Sequence, residues 1–128
     1  MKYLKYNANP KNKRTGDCVI RALTVALDKK YEDVAKDLFE FSMKTYYSMN
    51  SKENFSGYLS KQGYLMQRMP KREDGTRYTV EEFIDELAEV EGIYIVSVAN
   101  HLTCIKNEQL IDIWDCSKKS VGNYWKIK

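Results

Sequence analysis

The chain has 128 residues, of which 43% are hydrophobic and 30% are charged. This composition is ordinary for a globular protein and excludes a disordered chain, and the length indicates one domain, 1–128. The 21 basic residues exceed the 18 acidic residues by 3, a small excess that does not favour nucleic acid as a partner. No apolar run approaches the ~18 residues of a membrane span, and the first residues lack the apolar core of a secretory signal.

The three cysteines and single histidine restrict the chemistry that the chain can perform. An odd number of cysteines without a C-x-x-C pair argues against a disulfide scaffold and a zinc ribbon. We therefore expect free thiols, a reducing cytoplasmic compartment, and neither a metal nor another cofactor. A metal site formed by Cys104, His101 and Cys116 is disfavoured because it supplies only three ligands.

The first half of the chain predicts helices after a polar segment. Residues 1–16 are basic and rich in turn formers, which indicates an extended arm. Cys18–Leu27 is apolar on almost every face, which predicts a buried helix with Asp17 as its capping residue. Arg21, a charge within that apolar helix, is expected to pair with an acidic side chain or to point into a cleft. Further helices are predicted over 31–44, 51–61 and 79–90, and a short strand over 64–69.

The last third of the chain predicts strands. The segments 92–98, 100–105, 110–115 and 124–127 are rich in β-branched and aromatic residues, with a polar hairpin connection at 106–109. A mainly helical region, 17–90, followed by consecutive strands in 91–128 predicts an α+β fold in which the helices pack on an antiparallel sheet.

Two residues stand where a nucleophile and its base are expected. Cys18 opens the buried helix, and a helix N-terminus stabilises a thiolate. His101 begins a predicted strand and is the only histidine that could serve as a base. The imidazole needs an acceptor to orient it. A hairpin that turns around Glu108 puts Asp115 opposite His101, which we prefer, whereas a shift of one residue puts Asp112 on the His101 face.

The order of these residues resembles the papain-like cysteine peptidases. The motifs are Gly16-Asp17-Cys18, Asn100-His101-Leu102-Thr103 and Asp112-Ile113-Trp114-Asp115. The Asp-Cys opening and the short distance from Cys to His look especially like the small leader-peptidase domains of bacteriocin exporters. The resemblance covers residues 9–29 and 93–127, and it implies a papain-like fold and a bacterial or phage source.

The resemblance also implies the role of each residue. Cys18 would be the nucleophile, His101 the general base and acid, and Asp115 or Asp112 the orienting residue. The family places an amide side chain, usually Gln, six positions before the nucleophile to hold the oxyanion. Asn12 occupies that position here, and Asn9 is the alternative. The family's Gly after the nucleophile is Val19 in this chain.

These observations lead to three hypotheses from different classes. The first is a small thiol hydrolase with a Cys-His-Asp triad, acting on a peptide or protein substrate. The second is a catalytically silent binding module on the same fold, which the replacement of Gln by Asn favours. The third is a small basic nucleic-acid binder, which depends only on the net charge and on scattered Lys and Tyr.

Overall fold

The computed structural model describes residues 1–128 and has four helices and five strands, so the predicted α+β class is confirmed. None of the four helices has the length and apolar character of a membrane span. The helices are α1 (Cys18–Leu27), α2 (Tyr31–Thr45), α3 (Lys52–Lys61) and α4 (Val80–Glu86). The strands are β1 (Lys2–Lys5), β2 (Ile93–Val98), β3 (His101–Lys106), β4 (Gln109–Asp112) and β5 (Tyr124–Lys126).

The sheet is mixed, which corrects the expectation of an antiparallel sheet. Its strand order is β1-β4-β3-β2-β5, and β1 pairs in parallel with β4 while the other pairs are antiparallel. The segment 1–16 is therefore not only an arm, since its first residues form an edge strand. The sequence Lys2-Tyr3-Leu4-Lys5 is short and lysine-flanked, as edge strands often are, and its partner lies at the far end of the chain.

The sheet is covered on both faces, and consecutive residues of β2 enter different cores. Ile95 belongs to a core shared with α1, α2 and α3, which also contains Trp125. Val96 belongs to a second core shared with α4, which contains Phe83 and Leu110. This alternation is the normal consequence of the two-residue period of a strand. It explains why β2 is apolar at every position except Ser97.

Three predicted elements end or form differently from expectation. Residues 64–69 make no strand, because only Gln67 bridges to Tyr124 while Leu65 and Met66 remain exposed. Helix α4 ends at Glu86, and Val90, which the helical pattern included, is 65% exposed. Strand β4 ends at Asp112 and not at position 115, so the site has a different geometry from the one predicted.

Two tight turns place the ends of β3 and β4 together. Strands β2 and β3 are joined by Ala99–Asn100, and β3 and β4 by Asn107–Glu108. Asn107 and Glu108 both have positive φ, 52° and 63°, as a two-residue hairpin turn of type I′ requires. Because β3 and β4 run antiparallel, the first residue of one and the last residue of the other lie at the same end of the sheet. Helix α1 packs against β3 at this part of the sheet.

Candidate active site

The His101 ring is oriented by Asp112. His101 opens β3, Asp112 closes β4, and the distance from His101 Nε2 to Asp112 Oδ2 is 2.6 Å. Thr103 Oγ1 donates to the same carboxylate oxygen at 2.7 Å, and the Ile113 N–H donates to Oδ1 at 2.7 Å. With Nε2 occupied by Asp112, Nδ1 is the ring nitrogen left for a second partner.

Asp115, the preferred orienting residue in the sequence, does not contact His101. It is exposed, and its Oδ1 accepts a hydrogen bond from the Ser117 N–H at 3.1 Å. The observed register pairs Lys106 with Gln109 and Cys104 with Ile111. The turn therefore contains two residues, Asn107 and Glu108, whereas the preferred register placed Glu108 alone at its centre. This difference of one residue brings Asp112 to the histidine.

Cys18 is the first residue of α1, and its thiol interacts with His101. Burial by itself would raise the pKa of Cys18, but hydrogen bonding with His101 and with the backbone of Leu102 outweighs burial. The pKa of Cys18 consequently lies below its usual range. Cys18 is partly exposed, in contrast to the other two thiols. A partly exposed thiol with a lowered pKa is the form of cysteine that reacts as a nucleophile.

His101 is held in its protonated form. Burial opposes the charge, but hydrogen bonds to Asp112 and Cys18 and the nearby negative charges raise the pKa of His101 to about 9. The ordinary histidine value is 6.5, so the imidazolium persists at neutral pH. Together with the lowered pKa of Cys18, this raised value favours transfer of the thiol proton to the imidazole.

A buried ionic network continues from Asp112 into α1. Arg21 Nη1 lies 3.0 Å from Asp112 Oδ1, and Arg21 Nε lies 2.8 Å from Asp17 Oδ1. The expectation that Arg21 pairs with an acidic residue is therefore confirmed, with two partners. Arg21 balances one of the two buried carboxylates, and protonated His101 balances the other. This charge balance is a physical reason for the raised pKa of His101.

Asp17 does not cap α1, contrary to the sequence expectation. Its side chain makes no capping hydrogen bond, and its Oδ2 instead accepts from Tyr31 Oη at 2.8 Å and from Asn9 Nδ2 at 3.0 Å. The N–H groups of Cys18 and Val19 consequently have no partner within the protein. Free N–H groups beside a nucleophile are donors that an oxyanion can use.

Neither predicted oxyanion residue reaches Cys18. Asn9 is buried, and both ends of its amide are occupied, one by Asp17 and one by the Lys11 N–H. Asn12 is exposed, and its Oδ1 accepts from Asn7. It lines a separate surface hollow beside Arg14. The polar loop before α1 thus holds Asp17 in place and does not line the cleft.

Cys18 and His101 open into a surface cleft of about 490 Å³. Asn50 and Asn100 are exposed residues of this cleft, and neither side chain has a hydrogen-bond partner within the protein. Asn100 directly precedes His101 and has a positive φ of 57°. The remaining lining residues are Val19, Lys52, Phe55, Ser97, Val98 and Leu102.

The other two thiols are inert, and they do not share a metal site. Burial raises the pKa of Cys104 and of Cys116 to about 12 each. They belong to different cores, so the trio with His101 that the sequence suggested does not form. Ligand atoms of His101, Asp112 and Cys116 do lie within 4.8 Å of one another. Asp112 is already bound by Arg21 and Thr103, and a metal ion there would have to displace the protons of the His101 imidazole and of the Cys116 thiol.

Sequence reasoning missed several residues around the pair. Trp114 packs edge-on against the His101 ring, with 4.9 Å between ring centroids. Thr103 and the Leu102 backbone also act directly on the pair. Thr103 carries a sequence signal, because an alternating strand that starts at His101 places it on the same face. No sequence signal indicates the position of Trp114, since that position depends on where β4 ends.

No family model, no curated protein sequence and no solved structure matches this chain.

Proposed function

We propose that the protein is a small papain-like thiol hydrolase that cleaves a peptide, isopeptide or related amide bond. The observation that carries this proposal is the placement of Cys18 and His101 on the wall of one cleft, with the His101 ring hydrogen-bonded to Asp112. Cys18 and His101 are the catalytic residues in this proposal, and Asp112 is a positioning residue.

The first half of the reaction forms an acyl-enzyme. The Cys18 thiolate attacks the carbonyl carbon, and a carbon–sulfur bond forms as the carbonyl π electrons move to oxygen. When the tetrahedral intermediate collapses, the carbon–nitrogen bond breaks and the His101 imidazolium gives its proton to the leaving amine. Asp112 remains ionised and holds Nε2 throughout, which keeps Nδ1 directed at the reacting groups.

The second half releases the acyl group. Neutral His101 removes a proton from a water molecule, and the resulting hydroxide attacks the thioester carbon. The carbon–sulfur bond breaks, a carboxylic acid leaves, and the thiolate–imidazolium pair is restored. If an amine attacked the same thioester in place of water, the protein would act as a transferase.

The oxyanion has donors other than the two asparagines that the resemblance implied. The free N–H groups of Cys18 and Val19 lie at the start of α1, where the helix dipole also favours negative charge. The unpartnered amides of Asn50 and Asn100 line the same cleft. We favour the backbone of Cys18 with Asn100, because Asn100 directly precedes the base.

Selective alkylation tests the proposal. At pH 7 iodoacetamide is expected to label Cys18 at least about tenfold faster than Cys104 and Cys116, because only its pKa is lowered. The rates are read by mass spectrometry of the three cysteine peptides. His101→Ala should remove most of this advantage, whereas Asp115→Ala should keep it. Equal labelling of the three thiols in the folded wild-type protein contradicts the proposal.

A catalytically silent binding module is the second candidate, and one observation favours it. Asn9 and Asn12 both lie outside the cleft, so the side-chain oxyanion donor of the resembled family has no counterpart in that loop. This candidate predicts rapid labelling of Cys18 without turnover of thioester or amide substrates. Steady-state release of product from a peptide thioester by the wild type, absent in Cys18→Ala, decides for the hydrolase.

A further inference from the structure

The cleft beside Cys18 contains no acidic side chain. Its polar lining consists of two amides, one hydroxyl, His101 and Lys52, and its remaining lining is apolar apart from the Cys18 thiol. His101 already carries a positive charge, which the thiolate and Asp112 balance. Lys52 is therefore the one charge in the cleft that does not belong to the catalytic pair.

Lys52 has no acidic partner. None of the salt bridges in the protein includes Lys52, whereas Lys29, Lys118 and Lys126 each pair with a carboxylate. Its Nζ donates a hydrogen bond to the side-chain oxygen of Asn123. A neutral amide can position an ammonium group without neutralising it, so the charge remains available to a ligand.

The residue that holds Lys52 is itself anchored. Asn123 donates through Nδ2 to the Gln67 carbonyl at 3.1 Å. Its own carbonyl accepts from the Ser97 N–H at 2.9 Å and from Ser97 Oγ at 3.0 Å. Ser97 belongs to β2 and also lines the cleft. These contacts tie the ammonium group to the sheet at the edge of the cleft.

The position of Lys52 is unfavourable for its own helix. It is the first residue of α3, where the helix dipole favours a negative side chain and disfavours a positive one. Glu53, the next residue, supplies the negative side chain that this first turn favours, but it does not line the cleft, whereas Lys52 does. A residue that opposes local helix preference without an acidic partner is typical of a functional position.

We propose that Lys52 selects substrates with a carboxylate close to the bond that is cleaved, and that the substrate is an acidic peptide segment. This inference rests on the proposed hydrolase function and names its substrate class. The ammonium group pairs with an Asp or Glu side chain of the bound peptide, while Phe55 and Val98 contact its apolar atoms.

Two alkylating reagents of nearly equal size test the charge preference. Iodoacetate carries a carboxylate and iodoacetamide a neutral amide, and both form the same carbon–sulfur bond as iodide leaves. At low ionic strength, the rate constant of iodoacetate at Cys18 is divided by that of iodoacetamide. This ratio is then normalised by the same ratio for free cysteine. Lys52→Gln is expected to lower this normalised ratio about three- to tenfold, and Lys52→Arg to preserve it. About 0.5 M salt should reduce the difference by screening.

A matched control removes the same charge elsewhere. Lys44→Gln, at an exposed lysine of α2 outside the cleft, should leave the ratio unchanged. If Lys52→Gln also leaves the ratio unchanged while iodoacetamide still labels Cys18 selectively, charge selection by Lys52 is wrong and the hydrolase proposal stands. If iodoacetamide does not select Cys18 in any variant, the hydrolase proposal fails and this inference fails with it.

Peptide reagents test the acidic side chain itself. Acetyl-Gly-Glu-Gly chloromethyl ketone is compared with its Gln and Lys counterparts for the rate of Cys18 modification. We expect the order Glu, Gln, Lys in the wild type, and a loss of the preference for Glu over Gln in Lys52→Gln. Equal wild-type rates for Glu and Gln would contradict an acidic peptide as the substrate.

Discussion

The contact between Asp112 and His101 decides how the single histidine behaves. Asp112 accepts from His101 at 2.6 Å and is itself held by Thr103 and Arg21. An acceptor that several donors fix in place orients an imidazole better than a free surface carboxylate does. The residue-scale consequence is that the charge and the direction of the ring depend on one buried side chain.

Titration of His101 by NMR measures this dependence. The protein has one histidine, so its ring resonances need no further assignment. The wild type is expected to titrate at about 9, and Asp112→Asn to titrate closer to 6.5 because the acceptor charge is removed. Asp115→Asn is the matched control and should leave the pKa nearly unchanged, since the Asp115 carboxylate accepts from the Ser117 N–H and does not contact the ring. If Asp115→Asn lowered the pKa of His101 and Asp112→Asn did not, Asp115 would be the orienting residue.

At the scale of elements, Gly122 fixes the close approach of the chain before β5 to β2. A Cβ atom at Gly122 would lie 2.8 Å from Ser97 Oγ and 3.3 Å from the Ser97 carbonyl oxygen. The hydroxyl can rotate away, but the carbonyl oxygen is part of the β2 backbone and cannot. The approach also brings Asn123, and therefore Lys52, to the edge of the cleft.

Substitution of Gly122 tests this packing. Gly122→Ala is expected to lower the free energy of unfolding by about 1–2 kcal/mol, because the methyl group forces the two segments apart. Gly16→Ala is the control, since no atom lies within 4 Å of a Cβ at Gly16. Urea denaturation of both variants gives the comparison. Equal stability of Gly122→Ala and the wild type would mean that the segments separate without cost.

The helices and the C-terminal strands could be predicted because their signals are local. Apolar spacing predicted the bounds of α1, α2 and α3 to within one residue. The β-branched runs predicted β2 and β3. Strand β1 could not be predicted, because its pairing with β4 depends on contacts between the two ends of the chain. Asp112 was found only as an alternative, since the choice depended on whether the turn held one or two residues.

At the scale of the whole molecule, the buried ionic network joins distant parts of the chain. Arg21 of α1 connects Asp17, and through it Asn9 and Tyr31, to Asp112 of β4. Burial raises the pKa of Asp17 and of Asp112, but the hydrogen bonds of Arg21 to the first and of His101 to the second are among the contacts that outweigh it. Both carboxyl groups therefore titrate below the ordinary value of 3.8.

Acid unfolding tests the network as a unit. Because both pKa values are lowered in the folded protein, their stabilising contribution is complete above 3.8 and is lost as the pH falls through the folded values. Arg21→Met is expected to cost about 3–5 kcal/mol at neutral pH and to weaken the dependence on acid. Arg21→Lys should retain more of the stability at neutral pH and more of the dependence of stability on acid. Parallel stability curves for the wild type and Arg21→Met, from urea denaturation at several pH values, would contradict this linkage.

The two-residue turn at Asn107–Glu108 has a consequence for how this protein can change in length. Inserting or deleting one residue there would leave Cys18, His101 and Asp112 in the chain in the same order, yet it would turn every β4 side chain to the opposite face. A search for the motif alone would still accept such a variant. Length changes at this turn are therefore constrained as strictly as substitution of the reactive residues, although the turn lies at the opposite end of the hairpin from the site.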